Sequence, residues 1–300
     1  MPRRLFVIPV CLLVASCGGN RIADRPPSSG GLTPPAERVA LVDGLAGPEG
    51  VRYDPELDVY FVSNFNGDPE GDANGFISRV GPDGAILARE FMTGTAHAPL
   101  HGPRGMCLTG DTLWAVDASG VHAFDRRTGA HLGFVDLSRF APGFPNDIAH
   151  GPDGALYVTD TDRPRIYRLA GSDATIAVED TALCGPNGIT WDPTGARFLL
   201  ASWNRGASVH AWRPGTSGIQ ALGEAGPGGF DGIELVGDRV LIASQSDSSL
   251  HELRGIAERP LLRLPGAPAD IGVDTKRGHI AVPMVDRNQV EIWKLAPPGE

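Results

Sequence analysis

Apolar and polar residues alternate along most of the chain in short runs, and turns rich in glycine, proline and aspartate separate the runs. Residues 121–124, 165–168 and 209–212 show this alternation clearly. Strict alternation in short, turn-bounded runs is typical of β-strands, whereas no window keeps apolar residues at helical spacing. The pattern therefore predicts an all-β fold.

The runs fall into six similar groups. Each group opens with a short segment, usually a proline, a polar residue and a glycine, and continues through up to four apolar runs. The second residues of the six segments are Glu49, Arg104, Asn146, Asn187, Asp231 and Ala269. Their spacings of 55, 42, 41, 44 and 38 residues indicate a repeat architecture. Four strands per repeat predict a six-bladed β-propeller of four-stranded antiparallel blades.

The two ends of the repeat region predict how the ring closes. The last group contains only three runs and ends at residue 295, while an unmatched run at residues 38–42 precedes the first group. We predict that this N-terminal strand completes the last blade, because the ring then has no unpaired sheet edge between its first and last blades. The propeller is assigned to residues 37–297.

The first residues are typical of an export signal. Arg3 and Arg4 precede an apolar run too short to span a bilayer, and the run ends in small residues. Residues 13–17 resemble the lipobox of bacterial lipoproteins, which implies a signal peptide over residues 1–17 and lipidation of Cys17. An ordinary cleaved signal with an incidental cysteine is the alternative. Gly18 stands where aspartate would favour the inner membrane, so we expect a periplasmic protein on the outer membrane.

Composition narrows the classes of partner. Residues 18–36 are crowded with glycine, proline and serine and predict a flexible linker. Without Arg3 and Arg4 the net charge is (26 − 2) − 36 = −12. Nucleic acids and anionic membranes require a positive protein surface, so neither is an expected partner. We expect membrane contact through the lipid only and a small-molecule substrate; the sequence leaves the oligomeric state open.

The repeated second position predicts a metal site. The first strands of all blades begin at one rim of a propeller, so the six second residues converge there. If turn geometry alone selected them, one residue type would recur. Carboxylates and carboxamides occur instead, and hard oxygen donors of this kind suit Ca²⁺, with Zn²⁺, Mn²⁺ or Mg²⁺ as further possibilities. The predicted ligands are Glu49, Asn146, Asn187 and Asp231.

This order of residues resembles the SMP-30/gluconolactonase family, and diisopropylfluorophosphatase and paraoxonase propellers are related to it. The resemblance covers residues 38–295. It implies that Glu49, Asn187 and Asp231 hold a catalytic divalent cation and that Asn146 contacts the metal or the substrate. Two departures from the sugar-lactonase motif occur, since Ile148 and Ala149 replace its Gly-Lys and Phe144 replaces its arginine. The segment 145–154 also resembles NHL repeats, which are often binding modules.

Two hypotheses follow for the function. In the first, the protein is a metal-dependent hydrolase of a lactone or other small ester, with Asp231 as proton acceptor or nucleophile. Arg104 then binds an anionic part of the substrate, or else forms a salt bridge with Asp147 or Glu49. Trp203 either contacts the substrate or packs at the rim, and Gln245, on a turn at the same rim, is a further candidate for the pocket lining. In the second hypothesis, the propeller is a non-catalytic, NHL-like binding module with a structural metal.

Two long segments of the first repeat each have two possible roles. Residues 64–75 have oxygen-bearing side chains at alternate positions, as a calcium loop has, but a solvated loop is the alternative because the downstream glutamate is missing. Residues 93–102 form either a lid or a long connection.

His122, His210 and His251 occupy one position of the third strand in separate blades, so they are expected to be far apart and to face outwards. Cys107 and Cys184 are expected to be free thiols.

Overall fold

The structure is a computed structural model that describes residues 36–69, 71–223, 225–226, 228–255 and 257–296. The predicted signal peptide and all but the last residue of the predicted linker lie outside the described residues. No described helix is long and apolar enough to cross a bilayer.

The described residues form six four-stranded antiparallel sheets, as predicted. Strand β1 (Ala36–Val42) precedes the first blade. The strands of the first three blades follow in chain order: β2 (Pro48–Asp54), β3 (Val59–Asn64), β4 (Phe76–Val80) and β5 (Ile86–Thr93); β6 (Met106–Thr109), β7 (Thr112–Asp117), β8 (Gly120–Asp125) and β9 (His131–Asp136); and β10 (Pro145–His150), β11 (Leu156–Asp160), β12 (Arg165–Ala170) and β13 (Asp173–Glu179).

Blades four to six have the same plan. Their strands are β14 (Pro186–Asp192), β15 (Arg197–Ser202), β17 (Val209–Trp212) and β18 (Ile219–Ala221); β20 (Phe230–Val236), β21 (Arg239–Ser244), β22 (Ser249–Arg254) and β23 (Ala257–Arg263); and β24 (Gly272–Asp274), β25 (His279–Met284) and β26 (Gln289–Leu295), completed by β1. A small additional sheet pairs β16 (Gly206–Ala207) with β19 (Ala225–Gly226). Short 3₁₀ helices occupy Ser138–Phe140, Thr181–Leu183 and Val285–Arg287.

The N-terminal strand closes the ring. β1 pairs antiparallel with β26, so that Ala36 lies opposite Leu295 and Val42 opposite Val290. Glu291 on β26 also accepts a hydrogen bond from Arg38 on β1. The predicted closure of the last blade by the N-terminal strand is therefore confirmed.

The hydrophobic core is divided among the contacts between blades. Among the described residues there are six buried clusters, and each joins two neighbouring blades. The cluster between blades six and one, for example, contains Val42, Val51, Tyr53 and Ile292. Inner strands consequently have both faces covered, as in β3, where all six residues are buried.

This packing corrects one expectation. His122, His210 and His251 lie in separate blades, but they are buried and do not face outwards. Each is hydrogen-bonded inside its own blade: His122 to Asp117, His210 to Ser202 and His251 to Asp247. The third strand of a blade is sandwiched between its neighbours, so alternation along it does not mark a solvent face. Cys107 and Cys184 are free thiols, as expected.

Ring closure by β1 makes a specific prediction about stability. A chain that begins at residue 44 lacks the outer strand of blade six and the buried Val42, so β26 is left with an unpaired edge. We expect this chain to lose cooperative thermal unfolding, measured by circular dichroism, whereas a control chain that begins at residue 36 keeps it. An unchanged melting midpoint in the shorter chain would refute the role of β1.

Candidate functional site

β-Bulges at the start of the first strands determine where the second residues of the repeated segments lie. In four blades the pairing of the first and second strands slips just after the first residue, between Pro48 and Val51, Pro145 and Ile148, Pro186 and Ile189, and Phe230 and Ile233. A β-bulge bends its strand and redirects a side chain. The residues inside these bulges include the predicted ligands Glu49, Asn146, Asn187 and Asp231.

The third residue of each segment sets how closely the first strands approach one another. A Cβ atom on Gly105 would lie 2.1 Å from Oδ1 of Asp147, and one on Gly188 would lie 2.4 Å from the carbonyl oxygen of Asp231. No side chain fits into such a gap. Backbone hydrogen bonds cross the same gaps, as from the amide of Gly105 to the carbonyl of Asn146 at 3.0 Å. Glycine therefore lets neighbouring first strands come close enough to bring the second residues together.

The four predicted ligands all line one cavity of about 390 Å³. These residues are between 2% and 4% exposed. Each has one buried oxygen without a hydrogen-bond partner in the part of the chain that the structure describes, and these are Glu49 Oε2, Asn146 Oδ1, Asn187 Oδ1 and Asp231 Oδ1. An unpaired buried oxygen costs free energy, so four of them in one cavity mark a place for an electropositive partner.

Neighbouring side chains hold two of these ligands in position. Gln245 donates a hydrogen bond from Nε2 to Oδ2 of Asp231 at 2.6 Å. Asn146 donates from Nδ2 to Oγ1 of Thr161 at 3.1 Å, and this hydroxyl in turn donates to the carbonyl of Pro186 at 3.0 Å. In both ligands one polar atom is therefore used within the protein, and the other is left for the cavity.

The electrostatics of the site favour a cation. Burial raises the pKa of Glu49 well above its usual range, the nearby Asp231 carboxylate raises it further, and Arg104 partly opposes these effects. Burial also raises the pKa of Asp231, against the stabilising hydrogen bond from Gln245. Both shifts express the cost of keeping two negative charges in a buried site. The two carboxylates and two carboxamides are hard donors that fit a divalent cation such as Ca²⁺.

The structure separates the two predicted substrate contacts. Trp203 lines the cavity and is 37% exposed. Arg104 is buried behind the lining, where its guanidinium lies 3.8 Å from the ring centre of Phe144. It donates hydrogen bonds to the carbonyls of Pro145 at 3.0 Å and Pro69 at 2.8 Å. Neither of the salt bridges predicted for Arg104, to Asp147 or to Glu49, is among the ion pairs of the described residues.

A second tier of buried charges lies further along the first strands. Asp147 and Asp270 occupy the third position, where other blades have glycine, and both are buried. Neither carboxylate oxygen of Asp270 accepts a hydrogen bond from the described residues. Arg52 forms an ion pair with Glu234 and lies 3.6 Å from Oδ2 of Asp270. The sequence interpretation missed this tier, although aspartate in place of the repeated glycine was a visible signal.

Five cavity residues share a position in the repeat, and the sequence interpretation missed three of them. Each directly follows the second strand of its blade, and they are Phe65, Thr161, Trp203, Gln245 and Val285. The sequence interpretation found Trp203 and Gln245 because they were polar or aromatic on a predicted turn. Comparing the same position in all blades would have found the others. Phe144, which precedes a first strand, completes the aromatic part of the lining.

The two long segments of blade one pack against each other near the rim. Asp72 accepts hydrogen bonds at 2.9 Å from the amide of Asp68 and from the side chain of Asn74, so its carboxylate is used inside the 64–75 segment. The amide of Gly75 donates to the carbonyl of Leu100 at 3.1 Å, which joins this segment to the 93–102 segment. Within the described residues no group of three or more His, Cys, Asp or Glu side chains forms a metal site, here or elsewhere.

Comparison with known proteins confirms the architecture. No protein-family model and no curated protein matches the chain. Among solved structures, the chain is similar to the gluconolactonase XC5397 from Xanthomonas campestris, with 16% identity, a TM-score of 0.63, and coverage of 86% of this chain and 91% of that one. It is also similar to a streptogramin B lyase, with 15% identity, a TM-score of 0.61, and coverage of 87% and 97%. A virginiamycin B lyase from Staphylococcus aureus has 17% identity, a TM-score of 0.58, and coverage of 87% and 99%. At these identities the similarity shows the fold, which this chain shares with gluconolactonases.

The buried carboxylates predict that Glu49→Gln changes the stability of the protein in opposite directions with chelator and with Ca²⁺. With a chelator at about pH 8, Glu49→Gln should raise the free energy of unfolding by about 1 kcal/mol or more, because an amide replaces a buried charge that faces Asp231. In excess Ca²⁺ the wild type should be the more stable of the two proteins, because it gains binding free energy that the variant loses. Chemical denaturation in both conditions measures the difference.

The sign of the pH dependence follows from the raised pKa of Glu49. Stability contributed by the protonated carboxyl is present below its usual pKa of 4.5 and is lost as pH rises through the raised value in the folded protein. Without a cation, the wild type should therefore lose stability with rising pH more steeply than Glu49→Gln. Asp238→Asn, in the exposed turn between β20 and β21, is the control and should follow the wild type. Equal slopes for all three proteins would contradict the electrostatic account.

Proposed function

We propose that this protein is a metal-dependent hydrolase of a lactone or other small ester, with Ca²⁺ as its most suitable cation. The observation that carries the proposal is that four residues of one cavity lining each keep a buried oxygen with no partner among the described residues. The shared fold with a gluconolactonase supports the choice of ester chemistry. Glu49, Asn146, Asn187 and Asp231 would hold the cation.

The bound cation would act as a Lewis acid that polarises the ester carbonyl and stabilises the negative charge that develops on its oxygen. The residues of the chain supply the remaining functions. Glu49 and Asp231 provide the two negative charges that balance a divalent ion. Asn146 and Asn187 add neutral oxygen donors, so the site gains ligands without further charge.

Asp231 is assigned as the proton acceptor. Its Oδ2 accepts a hydrogen bond from Gln245 at 2.6 Å, while Oδ1 is buried without a partner among the described residues. Water attacks the carbonyl carbon and gives a proton to the Asp231 carboxylate. The bond between the carbonyl carbon and the ester oxygen then breaks, and the leaving oxygen takes the proton back. A lactone would open to a hydroxy acid by this route, and the carboxylate would be restored.

The proposal is tested with a panel of lactones, aryl esters and phosphotriesters. We expect chelator to abolish turnover and Ca²⁺ to restore it. Asp231→Asn should lower kcat/KM by about a hundred- to ten-thousandfold, the range for loss of a positioned proton acceptor. Asp238→Asn changes an exposed turn of the same hairpin and should keep the wild-type rate.

The alternative function, a binding module with a structural metal, has its own signature in this experiment. Chelator would then lower the melting temperature of the protein, but no substrate of the panel would be turned over. Unchanged turnover in Asp231→Asn would exclude Asp231 as the proton acceptor even if the protein is a hydrolase.

We also propose that Cys17 carries a lipid and anchors the propeller to the periplasmic face of the outer membrane. The support is the lipobox-like segment 13–17 and the glycine that follows it. In a bacterium with an outer membrane, the wild type should incorporate labelled palmitate and sediment with outer-membrane fractions. Cys17→Ser should lose both properties, and Cys11→Ser, which changes the apolar run of the signal, should keep them. Label retained in Cys17→Ser would contradict the anchor.

A further inference from the structure

The walls of the cavity above the four donors are largely apolar. Phe65, Phe144, Trp203 and Val285 line it, together with the polar side chains Thr161, Asp162 and Gln245. Its volume of about 390 Å³ lies in the range of pockets that enclose small organic ligands. Three aromatic rings therefore face whatever occupies the space over the donors.

Trp203 is fixed at the mouth by its backbone. Its amide donates to the carbonyl of Gly185 at 2.8 Å, and its carbonyl accepts from the amide of Gly229 at 2.8 Å. These bonds tie the residue to the segments that lead into β14 and β20. The indole nevertheless remains 37% exposed, although it is one of the largest apolar side chains of the protein. A rigid backbone and an accessible ring are what an aromatic ligand contact requires.

Phe144 is supported from behind by Arg104. The guanidinium lies 3.8 Å from the Phe144 ring centre and 6.0 Å from that of Phe65. Its hydrogen bonds to the carbonyls of Pro69 and Pro145 join the segments that carry the two rings. Arg104 thus contacts the back of the wall, and two of its nitrogens donate to backbone carbonyls. Its position makes it a positioning residue for the aromatic wall.

Part of the hydrogen-bonding capacity of the polar lining is used inside the protein. One N–H of Gln245 is donated to Asp231, and the Thr161 hydroxyl both accepts from Asn146 and donates to Pro186. A polyhydroxylated lactone that enters this site finds fewer hydrogen-bond partners there than in water. Among the described lining residues the charged groups are all acidic, namely Glu49, Asp231 and Asp162. A divalent cation balances the first two, so an anionic substrate would meet the third uncompensated.

We infer that the site takes neutral lactones or esters that bear an aromatic or aliphatic group, in preference to sugar lactones and anionic substrates. This inference rests on the proposed hydrolase function. The apolar group packs against Trp203 and Phe144, and the ester lies over the four oxygen donors. The aromatic wall thereby decides which esters the site selects.

Four δ-lactones test this selection: one unsubstituted, one with a phenyl substituent, one derived from an aldonic acid, and one with a carboxylate substituent. We expect the phenyl lactone to have the highest kcat/KM. Trp203→Ala should lower kcat/KM for the phenyl lactone by about ten- to hundredfold, mainly through KM, and should lower it by a clearly smaller factor for the unsubstituted δ-lactone, which has no group to pack against the indole. Leu132→Ala truncates an exposed apolar side chain on the outer strand of blade two and serves as the matched control.

A binding measurement separates this inference from the hydrolase proposal. A phenyl-substituted cyclohexanone has the shape of the lactone but cannot be hydrolysed, so its affinity is measured by calorimetry in excess Ca²⁺. Binding that Trp203→Ala weakens and Leu132→Ala does not would support the ligand class even if every ester of the panel is inert, in which case only the hydrolase proposal fails. The inference is overturned if the ketone does not bind, if Trp203→Ala leaves its affinity unchanged, or if the aldonic lactone is hydrolysed as well as the phenyl lactone.

Discussion

The structure depends on the close approach of six first strands around one axis. Where neighbouring strands meet, the backbone of one takes the space that a side chain of the other would need, as at Gly50, where a Cβ atom would lie 2.7 Å from the carbonyl oxygen of Arg104. This contact does two things at once. It joins the blades at their inner ends, and it brings the second residues of four of the segments close together. Side chains from residues 49 to 231 therefore meet in one cavity although each belongs to a different blade.

The same convergence concentrates buried charge, and the chain deals with it differently at two levels. In the second tier, further along the first strands, Arg52 is the cation between Glu234 and Asp270, so a basic side chain accompanies these carboxylates. At the level of the predicted ligands, Arg104 packs against Phe144 and donates hydrogen bonds to two backbone carbonyls. Among the described residues Glu49 and Asp231 each keep an unpaired buried oxygen, and Arg104 offsets the cost of the buried Glu49 charge only in part. Stability and the proposed chemistry thus depend on the same further positive charge, which the proposed cation would supply.

The sequence predicted the repeat, the blade number and the closing strand because strand alternation and a period near forty are local properties that survive in each copy. It also placed Glu49, Asn146, Asn187 and Asp231 at one position of the repeat, and these four residues line one cavity; their role as metal ligands stays a prediction. The direction in which a side chain points was harder to predict. Whether Arg104 faces the cavity or its wall depends on Phe144 and on two proline carbonyls from distant turns. The three histidines were placed on the wrong face because a strand between two blades has no solvent side. Asp270 was overlooked because its carboxylate matters only in relation to Arg52, which lies far away in the chain.

Closure by β1 has a consequence for the order of the chain. Ala36 pairs with Leu295, so the two ends of the propeller are neighbours in space although residues 38 and 291, which are joined by an ion pair, are 253 positions apart. Contacts of such long separation form late and slowly in folding, because the intervening chain must first be ordered. Every other blade is built from one continuous stretch of the chain. A circular permutant with a short linker between residues 295 and 36, opened in a turn between two other blades, would turn this distant pairing into a local hairpin and leave the donors around the axis in the same places.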